Sequence, residues 1–219
     1  MYDFVRGPLV WVAFAVFFGG LVFQALRFFS LTRKRDRVFL PAGMQRRGGE
    51  SAGPSRNWLR SLRFTIIGTH PVMTVVTSVF HVCLFVTPIF LLAHSILFYE
   101  SWGIGIWSFS ESTTEVLTIV FLACGVFFLL RRILLRRVRA ITTAYDYIIL
   151  FVTVAPFLSG FFAYHQWFDY KTMVIAHILT GELMLVVIPF TKLGHMLFFF
   201  LYRFLIGSEY SFGQGSRTW

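Results

Sequence analysis

Five long apolar runs dominate this sequence, and they decide what the chain can fold into. They lie at Leu9–Phe29, Pro71–Phe98, Thr114–Leu130, Asp146–His165 and Thr172–Leu205. Each run is long enough to cross about 30 Å of hydrocarbon as a helix. The runs do not alternate apolar and polar residues as the strands of a membrane barrel do. They therefore predict an all-α integral membrane protein with five transmembrane helices.

The composition excludes a soluble protein. Of the 219 residues, 57% are hydrophobic and only 14% are charged. A soluble domain carries about 25% charged residues, and one of this size has too little interior to bury so many apolar side chains. Because the sequence has no internal repeat or low-complexity tract, we expect one membrane domain over residues 1–219.

The basic residues lie mostly on one side of the predicted spans. Seventeen of the 20 Lys and Arg fall in residues 27–63, residues 131–139 and the C-terminal tail. Cytoplasmic segments carry such an excess, so the N-terminus is expected in the periplasm and the C-terminus in the cytoplasm of a bacterial inner membrane. The positive charge follows the first apolar run, which distinguishes that run from a cleaved signal peptide.

This orientation gives a first testable prediction. A reporter that fluoresces only in the cytoplasm, fused after Trp219, is expected to be bright, because the basic loops hold the tail on that side. Fluorescence of intact cells measures it. A dark fusion, together with an active periplasmic reporter at the same position, would show the opposite orientation.

Histidines are the strongest candidates for chemistry within the spans. Cys83 and Cys124 are the only cysteines and lie in apolar runs. Two thiols are too few for an iron–sulfur cluster, and no C-x-x-C-H motif attaches a c-type haem. A redox centre in this chain must therefore use histidine or methionine. Polar or ionisable side chains within a membrane span are costly, and by default they mark functional sites. The six histidines are His70, His81, His94, His165, His177 and His195.

Four of these histidines pair by depth. His177 and His195 are 18 residues apart, which is five turns and about 27 Å of a straight helix. His81 and His94 are 13 residues apart, or about 20 Å, and about 140° apart around the helix. Pro88 lies between the latter two and is expected to kink the helix and bring the rings together. Since the two helices run antiparallel, we expect His94 with His177 at the outer level and His81 with His195 at the inner level. This arrangement is typical of two b-type haems.

The inner ligand on the second span has an alternative. His70 is 11 residues from His81 and only about 20° away around a helix. However, His70 precedes Pro71, and the residue before a proline disfavours helical geometry. His81 is therefore favoured as the ligand. His165, at the outer end of the fourth run, is interpreted as an interfacial residue.

Two pairs of motifs resemble a known family. They are FHV at Phe80–Val82 and PIFLLAH at Pro88–His94, and AHILTGE at Ala176–Glu182 and PFTKLGHM at Pro189–Met196. The motifs resemble those of the diheme cytochrome b family typified by the gamma subunit of respiratory nitrate reductase. Within it, they are most similar to the cytochrome b subunit of the Hmc-type transmembrane redox complexes of sulfate reducers. The His81–His94 spacing is three residues longer than in the nitrate reductase subunit.

The resemblance implies a cofactor set and partners. It implies five helices, two haem b groups, and His81, His94, His177 and His195 as the axial ligands of the haem iron. Such a subunit transfers electrons within an oxidoreductase complex, between menaquinone or a periplasmic multihaem cytochrome c and a cytoplasmic iron–sulfur subunit. A further integral subunit interacts with quinone. Within the basic cytoplasmic loop 30–63, the charge distribution predicts Thr32–Arg63 as the docking surface for the iron–sulfur partner.

Three charged residues near these motifs have open roles. Lys192 is expected to bind the cofactor through a haem propionate, or else to extend to the inner interface. Glu182 is interpreted as a proton carrier to quinone, as a hydrogen-bonding group beside the haem, or as a packed, neutral group. Asp146 is expected to pair with a basic neighbour at the interface.

Two rival functions remain open from the sequence. One is a haem-free structural anchor subunit. The other is a proton-coupled transporter, which is expected to show inverted repeats and broken helices in matching positions. The sequence predicts neither of those two features.

Overall fold

The computed structural model describes residues 2–33 and 70–201, and this part of the chain is all-α, without a strand. The helices are α1 (Tyr2–Phe4), α2 (Val10–Arg33), α3 (Pro71–Phe90), α4 (Leu92–Trp102), α5 (Glu111–Leu134), α6 (Arg136–Arg139), α7 (Ala144–His165), α8 (Tyr170–Val187) and α9 (His195–Leu201). A π-helical turn, Val5–Leu9, joins α1 to α2. The docking loop and the C-terminal tail predicted above lie outside the described residues, apart from the first residues of that loop.

The five predicted spans are confirmed. The helical segments long and apolar enough to cross a membrane are Tyr2–Leu31, Pro71–Phe90, Glu111–Leu134, Ala144–His165 and Tyr170–Phe190. The described residues form two compact units: residues 2–33 with 141–201, and residues 70–140. The first unit holds three of the spans and the second holds two.

Side-chain caps fix where several helices begin. Ser110 precedes α5 and its hydroxyl accepts a hydrogen bond from the Thr113 amide. Thr143 and Asp146 form a capping box at the start of α7. Asp169 precedes α8 and accepts hydrogen bonds from both the hydroxyl and the amide of Thr172, which lower the pKa of its carboxyl. These bonds satisfy amides that a helix start leaves without partners.

The second span is broken, which corrects the expectation of one helix over Pro71–Phe98. α3 ends at Phe90, Leu91 is extended, and α4 begins at Leu92. Pro88 lies three residues before the break, and proline cannot donate the main-chain bond of a helix interior. The predicted distortion at Pro88 is confirmed, and the angular separation of 140° calculated for a straight helix does not apply.

The fifth span is also broken, and here the straight-helix expectation is wrong as well. α8 ends at Val187, and two 3₁₀ turns, Ile188–Phe190 and Lys192–Gly194, flank the extended residue Thr191. α9 then begins at His195. The separation of about 27 Å calculated for His177 and His195 on a straight helix therefore does not apply. Broken helices, which the sequence did not predict, are therefore present in the second and fifth spans.

In the second unit, aromatic stacking joins α3 to α5. The Phe80 ring stacks on the ring of Phe121, with 4.5 Å between centroids, and Phe121 is completely buried. Beyond α4, the Phe109 amide donates to the carbonyl of Phe90, and the Ser95 hydroxyl donates to that of Ile106. The connection between α4 and α5 is thus hydrogen-bonded to both sides of the break at Leu91.

In the first unit, α8 packs against α7 and α2, and α2 also contacts the break in the fifth span. The Gln24 amide nitrogen donates to the Pro189 carbonyl at 2.9 Å, and Pro189 is fully buried. Gly20 lies against the same proline, because a Cβ built at Gly20 would be 2.7 Å from Pro189 Cβ. Only glycine permits this approach of α2 to the break.

Gly20 and Gly19 give a second prediction. Gly20→Ala is expected to lower stability by about 1–3 kcal/mol, the usual cost of overpacking a tight contact. Gly19→Ala meets nothing within 4 Å and is expected to gain up to about 1 kcal/mol of helix propensity. Thermal unfolding of both variants in detergent measures the difference. Equal stability of the two variants would show that Gly20 is not in a close contact.

Candidate functional site

All four histidines predicted as ligands make the same type of hydrogen bond. In each, Nδ1 lies within hydrogen-bond distance of a main-chain carbonyl oxygen. The distances are His81 to Thr77 2.7 Å, His94 to Pro88 2.8 Å, His177 to Pro156 2.8 Å and His195 to Lys192 2.8 Å.

This bond decides which ring nitrogen carries the lone pair, through which an imidazole binds a metal. A carbonyl oxygen only accepts, so Nδ1 must carry the proton. In the neutral imidazole the lone pair then lies on Nε2. A hydrogen bond from the other ring nitrogen to a carbonyl is the usual support of a metal-ligating histidine, because it fixes the tautomer and the ring orientation.

Within the second unit, His81 and His94 lie on opposite sides of the break in the second span. His81 is half-buried on α3, next to Phe80, whose stacked ring anchors this part of the helix. His94 is on α4, and its ring reaches back six residues to the Pro88 carbonyl. The His94 side chain thus bonds a carbonyl near the break in the helical ladder.

Within the first unit, His177 lies where α7 and α8 come close together. Its ring bonds the Pro156 carbonyl of α7 and lies beside Gly160, where an added Cβ would be 3.0 Å from Cε1 and Nδ1. Close by in sequence, the hydroxyls of Ser159 and Thr180 are hydrogen-bonded between the same two helices at 3.2 Å. Pro156 and Gly160 are supporting residues that the sequence analysis missed. The sequence feature that could have identified them is a proline and a glycine four residues apart within one span.

His195 begins α9 and is exposed on the surface of the chain. The carbonyl that it bonds belongs to Lys192, whose side chain forms a 2.7 Å ion pair with Asp146. The interpretation that Asp146 pairs with a basic neighbour is therefore confirmed. The expected contact of Lys192 with a haem propionate stays a prediction.

The other two histidines differ in their surroundings. His70 is exposed, precedes α3, and its carbonyl accepts hydrogen bonds from the amide and hydroxyl of Thr74. It therefore lies at the helix start, as Pro71 predicted. His165 ends α7 in an aromatic cluster, with its ring centroid 4.3 Å from that of Phe161 and 5.7 Å from that of Trp167.

Glu182 is a buried carboxyl on α8. It is 7% exposed, and neither of its oxygens has a hydrogen-bond partner within residues 2–33 and 70–201. The same described ranges contain no group of three or more His, Cys, Asp or Glu side chains suited to a bare metal ion. An axial haem site needs no such group, because the macrocycle supplies four of the six iron ligands.

Fold and side chains together define a five-span, all-α membrane protein with four histidines held by main-chain carbonyls. The chain is 36% identical over 223 residues to a protein of Nitratidesulfovibrio vulgaris, and the alignment covers 100% of this chain and 97% of that relative. It belongs to the same family as this relative, whose name, "Protein", gives no function. No family model matches the chain. No solved structure matches it.

Proposed function

We propose that this chain is a diheme b-type cytochrome subunit that carries electrons through the bacterial inner membrane within a respiratory redox complex. His81, His94, His177 and His195 are the proposed axial ligands. The observation that carries the proposal is the bond from Nδ1 of all four to a main-chain carbonyl. Four rings with one tautomer and fixed orientation are what bis-imidazole haem ligation requires.

The residues fit the group. Haem b with two axial imidazoles stays low-spin and alternates between ferric and ferrous iron, which supplies one-electron transfer. The chain's own contribution is to orient the four rings through main-chain carbonyls. Proline supplies the accepting carbonyl for His94 and for His177.

The partners follow from the resemblance. A cytoplasmic iron–sulfur subunit, an integral quinone-interacting subunit and a periplasmic multihaem cytochrome c are the proposed partners, with menaquinone as the exchanging quinone. The lipid membrane is the environment of all five spans. The proposed orientation, with the N-terminus in the periplasm, rests on the charge distribution.

Broken helices raise the transporter as a second candidate, since transporters bind substrates and ions where helices unwind. Such a site needs main-chain carbonyls that are available to the ion. Here the carbonyl of Pro88 accepts from His94, and that of Pro189 accepts from Gln24. Each of these two carbonyls already accepts a side-chain hydrogen bond, and at the second-span break the donor is a proposed haem ligand, so we keep the cytochrome as the proposal.

An absorption spectrum tests the proposal. The chain is purified from membranes in detergent, and spectra are recorded as isolated and after dithionite. Low-spin b-type bands and two haems per chain are expected. A matched control chain with the four histidines replaced by alanine is expected to purify without haem. Absence of haem from the native chain would favour the structural anchor, and a proton-dependent uptake activity would favour the transporter.

A further inference from the structure

The segment that carries His195 is not held by a continuous helix. Between Val187 and His195 the helical hydrogen-bond ladder stops, and Thr191 is extended. Besides the local bonds of the two 3₁₀ turns and the bond of the Thr191 hydroxyl to the Val187 carbonyl, two long-range side-chain bonds position this segment. On one side, Gln24 of α2 donates to the Pro189 carbonyl. On the other side, Asp146 of α7 binds the side chain of Lys192.

Asp146 uses both carboxylate oxygens. Oδ2 accepts from the amide and the hydroxyl of Thr143, at 2.9 Å each, which fixes the carboxylate at the first turn of α7. Oδ1 accepts from Lys192 Nζ at 2.7 Å. The Asp146 side chain is only 16% exposed, and Lys192 Nζ also lies 5.4 Å from the ring centroid of Tyr145. The lysine is thus held by two adjacent residues of α7.

Lys192 connects this carboxylate to the histidine. Its side chain binds Asp146, while its main-chain carbonyl accepts from His195 Nδ1 at 2.8 Å. Lys192 and His195 are joined by a single 3₁₀ turn, so displacement of Lys192 also displaces the accepting carbonyl. A hydrogen bond from Nδ1 sets both the ring orientation and the electron density of a ligating imidazole.

We infer that Asp146 is a positioning residue for His195, acting through Lys192. This role rests on the proposed function. It assigns Lys192 to the support of the ring, in place of direct contact with the cofactor. The Lys192 side chain is 62% exposed, and an ion pair open to water on one side adds at most about 1 kcal/mol to stability. Breaking the pair is therefore expected to change the orientation of the His195 ring more than the stability of the fold.

Variants of the full chain in detergent test the inference. Asp146→Asn and Lys192→Gln are each expected to shift one low-spin ferric signal in electron paramagnetic resonance. The shifted signal should be the one that His195→Ala abolishes, because both arise from the haem that His195 is proposed to bind. They should also weaken retention of that haem by about 10-fold or more, the usual effect of losing a supporting partner of a ligand. Lys192→Arg keeps the ion pair and is expected to resemble the native chain.

Asp169→Asn is the matched control. Asp169 caps α8 through the hydroxyl and amide of Thr172, as Asp146 caps α7 through Thr143, but its cap bonds do not involve the His195 segment. Both haem signals are expected to be unchanged in Asp169→Asn. A shift in this control would mean that loss of any cap disturbs the haems, and would overturn the inference.

Further outcomes separate this inference from the proposed function. If His195→Ala loses one haem while Asp146→Asn matches the native chain, only the positioning role is wrong. An effect of Lys192→Gln without one of Asp146→Asn would assign Lys192 to the haem propionate and overturn the role of Asp146. A native chain without haem would overturn both the proposed function and this inference.

Discussion

Replacement of His177 by alanine is expected to remove one of the two haems and to leave the other spectrally intact. About half of the b-type absorbance should be lost, because a low-spin b haem needs both axial imidazoles. The fold is expected to persist, since the ring occupies a half-buried site between α7 and α8 that Ser159 and Thr180 also connect. Haem content per chain and the reduced spectrum measure the loss.

The partner of His177 is predicted to be His94. His94→Ala should therefore remove the same haem, identified by its midpoint potential, whereas His81→Ala and His195→Ala should both remove the other. If His94→Ala and His177→Ala remove one haem, and His81→Ala and His195→Ala remove the other, the predicted ligand pairs are established. Two variants of one pair that remove different haems would contradict it.

The assignment of His81 as the inner ligand is tested against His70, the alternative histidine near the second span. His70→Ala is expected to retain both haems, because His70 precedes the helix and contributes its carbonyl to the first turn of α3. If His70→Ala loses a haem while His81→Ala keeps two, His70 is the ligand. The Nδ1 bond of His81 to Thr77 then serves packing alone.

Sequence patterns predicted the spans because hydrophobicity depends on local composition. The apolar runs predicted all five spans, and Pro71 and Asp146 marked the starts of two helices to within two residues. The position of Asp146 at the start of the fourth span predicted a basic partner, but that partner is Lys192, 46 positions away. The inferences about spans and helix starts needed only residues that are close together in the sequence.

The breaks were only partly predictable, because distant residues stabilise them. A proline inside a span predicts a distortion, yet whether the helix bends or ends depends on what satisfies the freed main-chain groups. Near the break in the second span, His94 donates a hydrogen bond to the carbonyl of Pro88, six residues before it. At the break in the fifth span, Gln24 donates a hydrogen bond to the carbonyl of Pro189, 165 positions away. No periodicity analysis finds such a pair, so the straight-helix geometry of the histidines failed.

The support of the histidines was likewise invisible in the sequence. The sequence motifs identified the four candidate histidines. The structure shows which main-chain carbonyl lies within hydrogen-bond distance of each Nδ1. For His177 the accepting carbonyl is on another helix, 21 positions away. In the sequence, Pro156 and Gly160 are indistinguishable from other residues of the fourth span. Their proximity to His177 depends on the contact between α7 and α8. Only tertiary structure connects them to the ring.

Substitution of Gly160 is expected to have a large effect on the haem that His177 is proposed to bind. A Cβ at this position would lie 3.0 Å from both Cε1 and Nδ1 of His177, closer than ordinary van der Waals contact. The ring is tied to the Pro156 carbonyl at 2.8 Å, so it has little freedom to move away without breaking that bond. Gly160→Ala is expected to weaken retention of the His177 haem by about 10-fold or more, and Gly160→Leu to abolish it.

Gly181→Ala and Gly181→Leu are the matched controls, because a Cβ at Gly181, on α8 with His177, meets nothing within 4 Å. Both glycines lie inside helices, and replacement by alanine gains up to about 1 kcal/mol of helix propensity at either site. Loss of one haem from a Gly160 variant that unfolds no earlier than its Gly181 counterpart therefore reports displacement of the ring, not loss of the helix. If Gly160→Leu retains both haems with native spectra, His177 does not hold a haem through the ring position seen here.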